Sequence, residues 1–296
     1  MRRSSTLLLA LLSCFQLFAA DSTIIAPGAT LQKLSSDFSF TEGPACDSKG
    51  NVFFTDQPND RILKWSVDAK LSTFMQPCGR ANGMSFDPQG NLWTCSDETN
   101  QLWRISPDGK ATVVVKDYHG KLLNGPNDVW IRPGGGLYIT DPYYKRSWWK
   151  RGPKELGEDV YFLAPDNTNL VRVIDDMNKP NGIIGTPDGK TLYVSDIGGH
   201  KTFRYHIQPD GSLTEKTLFC ELGSDGMTID DQGNIYLTGR GVSVFDSTGK
   251  KIEQIDVHEP WTANVCFGGK DRQTLFITAS KSFYSLSMKV KGVDSQ

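Results

Sequence analysis

The sequence predicts an all-β fold, a six-bladed β-propeller with four-stranded blades and a ring closed by an N-terminal strand. Three observations predict it: a strand-like phrase that returns six times, a nearly constant spacing between its copies, and a composition rich in turn residues. The chain has 296 residues, with 29 Gly, 15 Pro and 10% aromatic residues. That composition suits short strands joined by tight turns better than it suits helices.

The repeated phrase is an apolar and aromatic run that mostly ends in Thr, Ser or Asp. Its copies are GNVFFTD at 50–56, GNLWTCSD at 90–97, GGLYITD at 135–141, KTLYVSD at 190–196, GNIYLTG at 233–239 and QTLFITA at 273–279. Their aligned aromatic residues lie 40, 45, 55, 43 and 40 residues apart. A unit of about 40 residues with about four short strands is a propeller blade. A two-sheet sandwich also has many short strands, but its sequence would not repeat in this way.

Two segments lie outside the repeat. The stretch ATLQKLSSDF at 29–38 is predicted to supply the strand that completes the last blade. The longest spacing contains an insertion at 142–159, which is predicted to form a loop over one face and carries four aromatic residues that either cover a ligand or pack on the blade. Asp56, Asp141 and Asp196 end three of the phrases, and we interpret them as turn residues. Since no linker-like segment interrupts the repeats, residues 21–296 are predicted to form a single domain.

The N-terminus predicts export. Residues 1–20 combine two arginines, an apolar run and a small-residue cleavage site near Ala20, which together indicate a signal peptide. The sequence LLSC, which ends at Cys14, also resembles a bacterial lipoprotein cleavage box, so a periplasmic or extracellular protein with a lipid anchor stays open. A retained membrane anchor is a further alternative.

Charge and cysteine content exclude several classes of partner and site. The net charge is −2, from 32 Lys and Arg against 34 Asp and Glu. This balance offers no cationic excess for a nucleic acid or an anionic membrane. The five cysteines beyond Cys14 contain no CxxC pair, which disfavours zinc or redox chemistry. The oligomeric state is not indicated.

A second pattern lies eleven or twelve residues before each aligned aromatic residue, where every blade has an oxygen-bearing side chain. These residues are Glu42, Asn82, Asn127, Asn181, Asp225 and Asn264. Because innermost strands line a propeller's channel, equivalent positions should form a ring around its axis. Turn chemistry explains any single Asn-Gly or Asp-Gly, but not a common register or Glu42. Four of the six residues precede a glycine, which we expect to let the backbone turn sharply into the channel.

The predicted ring has the chemistry of a site for a hard divalent cation. Two carboxylates supply negative charge, and amide oxygens add neutral ligands without further repulsion. Ca²⁺ is favoured because it accepts 6–8 oxygen ligands in variable geometry. The absence of His and Cys from the ring disfavours zinc, copper and iron sites. One divalent cation is therefore predicted, with Mn²⁺, Mg²⁺ and Zn²⁺ left as alternatives to Ca²⁺.

Four motifs together resemble the gluconolactonase, regucalcin (senescence marker protein) and luciferin-regenerating-enzyme family. They are EGP at 42–44, GPNDV at 125–129, KPNG at 179–182 and SDGM at 224–227, and the resemblance covers nearly the whole mature chain. It implies a six-bladed propeller with a divalent cation in the channel. By motif, the metal-binding set would be Glu42, Asn127, Asn181 and Asp225, with Asp225 also the catalytic acid and base. Asn82 is assigned to substrate or outer-shell contact, and Asn264 receives no metal role.

The resemblance has one departure. The regucalcin branch has a sugar-contacting arginine two residues before the Asn of its third-blade motif, and this chain has Gly125 there. Sugar specificity therefore does not follow from the resemblance. Arg80, two residues before Asn82, is a candidate substrate-binding cation from the neighbouring blade, and His200 is a candidate substrate contact at the channel mouth. Asp128 is a candidate ligand of a second, structural cation or a turn residue.

The resemblance implies hydrolysis of a small-molecule lactone. The cation would polarise the carbonyl, and Asp225 would take a proton from the attacking water and return it to the leaving ring oxygen. No GxSxG motif supports a serine hydrolase. Three alternatives stay open: an arylesterase or phosphotriesterase with the same metal centre, a non-catalytic propeller that binds a cation and a ligand, and an interaction propeller that presents its faces to partner proteins.

Overall fold

The computed structural model describes residues 22–293, which form six four-stranded antiparallel sheets arranged around a channel. The predicted six-bladed, all-β propeller is confirmed. Within the described part of the chain, one short 3₁₀ turn at Gln57–Asn59 is the only helix, and no helix is long and apolar enough to cross a bilayer. The predicted signal peptide and Cys14 lie outside the described residues.

The strands alternate in direction from the channel to the rim of each blade. The innermost strands of blades one to six are β2 (Thr41–Cys46), β6 (Ala81–Phe86), β10 (Val129–Ile131), β14 (Pro180–Gly185), β18 (Met227–Ile229) and β22 (Thr262–Gly268). The second strands are β3 (Val52–Asp56), β7 (Leu92–Ser96), β11 (Leu137–Asp141), β15 (Thr191–Asp196), β19 (Ile235–Gly239) and β23 (Thr274–Ala279). The third strands are β4 (Arg61–Trp65), β8 (Gln101–Ile105), β12 (Asp159–Leu163), β16 (Lys201–Ile207), β20 (Gly241–Phe245) and β24 (Ser282–Ser287). The outermost strands are β5 (Leu71–Met75), β9 (Ala111–Val115), β13 (Leu170–Ile174), β17 (Leu213–Cys220), β21 (Lys251–Ile255) and β1 (Gln32–Ser35).

An N-terminal strand closes the ring. The strand β1 pairs antiparallel with β24 and places Gln32 opposite Ser285 and Lys33 opposite Tyr284. The sixth blade is therefore built from both ends of the described chain, as the sequence predicts. This pairing joins the first blade to the last and holds the circle of blades together.

The core lies between neighbouring blades. All six aligned aromatic residues of the repeated phrase are buried, because the second strand of each blade faces the blades on both sides. Tyr138 in blade three shows the packing: its ring centroid lies 4.8 Å from that of Phe162, and its hydroxyl donates a hydrogen bond of 2.8 Å to the carbonyl of Gly211 in blade four. Burial decreases outwards, so that β2 is buried throughout while β5 is largely exposed.

The glycines that follow ring residues have a different role from the one expected. Of these four glycines, only Gly43 has a positive φ, 42°. A Cβ added at Gly43 would lie 2.0 Å from the carbonyl oxygen of Asn82, and one added at Gly226 would lie 2.0 Å from Cγ of Asn264. The glycines are thus needed because neighbouring innermost strands approach closely. The other three have no positive φ, so backbone conformation alone does not require glycine there.

Candidate metal centre and active site

The six predicted ring residues are brought together around the channel. Four lie within innermost strands, while Asn127 and Asp225 lie two residues before β10 and β18. Glu42, Asn82, Asn127 and Asp225 line a cavity of about 260 Å³, and Asn181 contacts Asp225 there. Asp225 is partly exposed, and each of the other five is at most 6% exposed.

Hydrogen bonds fix both carboxylates. Asp225 accepts from Nδ2 of Asn181 at Oδ1 over 2.8 Å and from Nε1 of Trp261 at Oδ2 over 2.5 Å. Glu42 accepts from the backbone N–H of Gly43 at Oε2 over 2.8 Å. Since each carboxylate is held by neighbouring groups, the two side chains are oriented in advance of any ligand.

The ring asparagines differ in whether their amide oxygens accept a hydrogen bond. Oδ1 of Asn82 and Oδ1 of Asn181 are buried and have no hydrogen-bond partner among the described residues. Asn264 differs, because its Oδ1 accepts from the N–H of Val265 over 2.8 Å. Buried acceptors without partners are costly unless a cation or a water satisfies them. The donor set therefore fits a hard cation, and it leaves Asn264 without a free amide oxygen for one.

The electrostatics of the site also favour a bound cation. Burial raises the pKa of Glu42 well above its usual range, and the negative charge of Asp225 raises it further. Burial also raises the pKa of Asp225 to about 6. Among residues 22–293 no group of three or more His, Cys, Asp or Glu residues could hold a metal ion, so the two ring carboxylates would need the amide oxygens as further ligands. A divalent cation would offset the cost of ionising Glu42 and Asp225 together.

The insertion between β11 and β12 reaches the cavity. Tyr144 and Arg146 line it, and the hydroxyl of Tyr144 accepts a hydrogen bond of 3.0 Å from Nδ2 of Asn181. Burial, together with the nearby charge of Asp225, raises the pKa of the Tyr144 hydroxyl, which therefore stays protonated. The predicted loop over one face thus contributes two side chains to the site.

A buried carboxylate of blade two anchors this insertion. Asp97 is 2% exposed and accepts from Nε of Arg146 over 3.1 Å. It also accepts at Oδ1 from Nε1 of Trp148 and from Nε1 of Trp149, each over 2.9 Å. Three donors on one carboxylate hold the aromatic part of the insertion against blade two.

The structure leaves no space for a side chain at position 125, where the regucalcin branch has an arginine. A Cβ added there would lie 2.6 Å from Cζ2 of Trp149, and the φ of Gly125 is 136°. The indole of the insertion therefore occupies the space that a side chain at this position would need. A larger residue at 125 is incompatible with this arrangement of the insertion.

Two predicted substrate-binding residues lie away from the cavity. The guanidinium of Arg80 lies 4.8 Å from the ring centroid of Trp148, its Nε lies 3.8 Å from Oε2 of Glu98, and it donates to the carbonyl of Pro58. His200 is exposed in the turn between β15 and β16. The structure does not bring either residue to the lining, so their assignment stays a prediction without geometric support. Arg146 is the cation that the cavity contains.

Five residues that line the cavity were not singled out from the sequence. They are Phe40, Gln57, Arg146, Ile197 and Trp261. Phe40 lies two residues before Glu42 and Trp261 three before Asn264, at the end of the innermost strands that faces the cavity. Phe40 and Trp261 could have been found in the sequence by examining the residues just before each ring position. Arg146 had no such signal, because an insertion lies outside the repeat.

The three aspartates interpreted as turn residues also hold the ring. Each is buried and accepts hydrogen bonds from two successive backbone N–H groups ahead of the innermost strand in its own blade. The pairs are Asp56 with Ser39 and Phe40, Asp141 with Asn124 and Gly125, and Asp196 with Asn178 and Lys179. The second N–H of each pair lies two residues before Glu42, Asn127 or Asn181. The turn interpretation is therefore incomplete, because these carboxylates fix the chain that carries three ring residues.

Asp128 faces the other end of the channel. It lines a second cavity of about 120 Å³, its Oδ1 accepts from the N–H of Val129 over 3.0 Å, and burial raises its pKa to about 7. These contacts agree with a local capping role. A second cation at this position stays a prediction.

Comparison with known proteins identifies the family. The sequence model described as "SMP-30/Gluconolactonase/LRE-like region" matches residues 40–281. The chain belongs to this family. It is 31% identical to a gluconolactonase of Zymomonas mobilis over an alignment of 302 positions, which covers 91% of this chain and 84% of that protein. Among solved structures, a gluconolactonase of Xanthomonas campestris is 30% identical, with a TM-score of 0.83 and coverage of 89% of this chain and 91% of that one.

The SMP-30/gluconolactonase fold extends to more distant members. A calcium-binding regucalcin of Agrobacterium tumefaciens has a TM-score of 0.75 at 21% identity and covers 90% of this chain and 96% of that one. At that identity the likeness shows the fold alone. The family resemblance predicted from the four motifs is confirmed.

Proposed function

We propose that this chain is a metal-dependent lactonase that hydrolyses a sugar lactone at the cavity lined by Glu42, Asn82, Asn127 and Asp225. Membership of the SMP-30/gluconolactonase family and the similarity to gluconolactonases support the reaction class. The carboxylate and amide oxygens of the cavity support a divalent cation, and the proposed cation here is Ca²⁺, with Mn²⁺, Mg²⁺ and Zn²⁺ as alternatives.

One observation carries the proposal. The buried carboxylate of Glu42 and the partly exposed one of Asp225 line an accessible cavity with Asn82, and Asn181 contacts Asp225 there; Oδ1 of Asn82 and Oδ1 of Asn181 have no hydrogen-bond partner among the described residues. A propeller that only presents its faces to partner proteins has no need for this combination, which is costly to bury. A propeller that binds a cation without turnover would share it, and the lactone assay below separates the two. The residues proposed to hold the cation are Glu42, Asn127, Asn181 and Asp225, and the geometry adds Asn82 as a further donor.

The chemistry proposed for the cation is Lewis-acid polarisation of the lactone carbonyl when it is bound. Asp225 accepts a proton from the attacking water, whose oxygen forms a bond to the carbonyl carbon. The bond from that carbon to the ring oxygen then breaks, and Asp225 returns the proton to the leaving oxygen. Asn181 and Trp261 hold the two oxygens of Asp225 in place, and the protonated hydroxyl of Tyr144 provides a neutral hydrogen-bond donor beside them.

The test is a pH-stat assay of the mature protein on glucono-δ-lactone and on a small set of γ- and δ-lactones. Each substrate is run as purified, after EDTA, and after restoring Ca²⁺, Mn²⁺, Mg²⁺ or Zn²⁺. We expect hydrolysis that vanishes with chelation and returns with one cation. No hydrolysis of any lactone by protein that demonstrably binds the cation would reject the lactonase; aryl esters and phosphotriesters would then be assayed.

A further inference from the structure

Arg146 enters the cavity from outside the propeller's repeat, and its guanidinium is only partly used. Among the described residues it makes one hydrogen bond, from Nε to Asp97 over 3.1 Å, and its two terminal nitrogens have no hydrogen-bond partner. Its side chain is 25% exposed, and the residue lines the cavity. A planar cation with free N–H groups is suited to hydrogen-bond oxygen atoms of a ligand.

The guanidinium is held rigidly. Its central carbon lies 5.5 Å from the ring centroid of Tyr144 and 5.5 Å from that of Trp148, while Asp97 fixes Nε. It is close enough to Asp225 for its charge to oppose part of the rise in the pKa of that carboxyl that burial causes. Arg146 is thus positioned beside the reacting groups but does not belong to the ring.

The charge balance indicates the kind of ligand. The charge of Arg146 is compensated by the buried carboxylate of Asp97, and the charges of Glu42 and Asp225 would be compensated by a divalent cation. The cavity therefore has no net charge left to attract an anion. The free N–H groups of Arg146 still require acceptors, which the hydroxyl groups of a neutral ligand supply.

We infer that Arg146 is the residue that determines substrate specificity, and that it selects neutral lactones carrying several hydroxyl groups over unsubstituted ones. This inference rests on the proposed lactonase activity and narrows its substrate class. A lactone without hydroxyl groups would exclude water from the guanidinium and leave its N–H groups unpaired. Sites built to hydrogen-bond a substrate discriminate strongly against analogues that lack the matching group.

The test compares two δ-lactones with the same ring, glucono-δ-lactone, which has hydroxyl groups, and δ-valerolactone, which has none. In Arg146→Met, kcat/KM for glucono-δ-lactone should fall about 10- to 100-fold, whereas kcat/KM for δ-valerolactone should change less than about threefold. Arg151→Met is the matched control. Arg151 belongs to the same insertion but lies 5.6 Å from the ring centroid of Trp149 and does not line the cavity. It should leave the ratio of the two substrates unchanged.

A parallel loss for both lactones in Arg146→Met, or no loss for either, would overturn the inference. Binding of 1,5-anhydroglucitol, a hydroxylated ring without a carbonyl, gives a readout independent of catalysis. Titration calorimetry should show binding to the wild type and to Arg151→Met and a loss of about tenfold or more in Arg146→Met. A wild type that binds this polyol but hydrolyses no lactone would reject the proposed function and, with it, the selection among lactones, and would keep only Arg146 as a contact for hydroxylated ligands. A wild type that does not bind it, or an unchanged affinity in Arg146→Met, would reject the inference.

Discussion

Asn181 donates a hydrogen bond from Nδ2 to Oδ1 of Asp225 over 2.8 Å and so links the neighbouring blades four and five. The same side chain keeps its own Oδ1 without a partner among the described residues. One amide thereby orients the proposed general base and retains an oxygen for a cation. The two roles are coupled, because a change that moves Asn181 disturbs both.

Asp225→Asn should separate catalysis from cation binding. The amide keeps an oxygen ligand but cannot take up a proton, so turnover of glucono-δ-lactone should fall about 10²- to 10⁴-fold. The affinity for Ca²⁺, measured by titration calorimetry, should change much less. Asp128→Asn removes a buried carboxyl at the other end of the channel and should keep most of the turnover. Near-normal hydrolysis by Asp225→Asn would contradict the assigned role.

The stability of the metal-free protein should fall as the pH rises. Burial raises the pKa of Asp225 to about 6 and that of Asp128 to about 7, from an unfolded value of 3.8. The folded state therefore prefers the protonated carboxyls, and their stabilising contribution, complete below about pH 4, is lost as the pH rises through 6 to 7.

This pH dependence can be measured by thermal unfolding with and without Ca²⁺. In EDTA, Tm should be lower at pH 8 than at pH 5 by several degrees. Saturating Ca²⁺ should reduce or reverse the difference, because the cation stabilises the ionised carboxylates and competes with protons. The same pH dependence in both conditions would show that Asp225 does not hold the cation; the part that Asp128 contributes should remain in both.

Asp141→Asn should weaken cation binding, although Asp141 is not one of the proposed ligands. The carboxylate of Asp141 accepts from the N–H groups of Asn124 and Gly125, and an amide at this position offers only one acceptor oxygen. We expect a loss of roughly 10- to 100-fold in cation affinity, as for other residues that orient ligands, and about 1–3 kcal/mol in stability. Asp210→Asn changes an exposed turn carboxylate and should alter neither quantity. Equal cation affinities in the two variants would indicate that Asp141 does not position Asn127.

Gly226→Ala should destabilise the protein by more than about 2 kcal/mol. A Cβ at this position would lie 2.0 Å from Cγ of Asn264, and the closely packed innermost strands leave little room for relaxation. Gly152→Ala provides the control, since nothing lies within 4 Å of a Cβ added there. Urea denaturation of both variants measures the difference. If Gly226→Ala were as stable as Gly152→Ala, close strand approach would not be the reason for the glycine.

The sequence by itself determined the propeller and the ring. A repeat of about 40 residues fixes the number of blades, and one register position in each repeat maps onto one circle around the axis. Glu42, Asn82, Asn127, Asn181, Asp225 and Asn264 could therefore be placed together without coordinates. The periodicity also located Asp56, Asp141 and Asp196, but not their function, because hydrogen bonds to backbone N–H groups leave no pattern in the sequence.

Only the tertiary structure decided which side chains complete the cavity. Arg146 and Tyr144 belong to an insertion, whose path is set by contacts with Asp97 in another blade and not by the repeat. Arg80 followed the repeat and was the expected cation, yet its guanidinium lies against Trp148 of that insertion. A periodic pattern specifies where the backbone of a strand lies in the ring. The position of a long side chain, or of a loop outside the period, depends on packing between residues far apart in the chain.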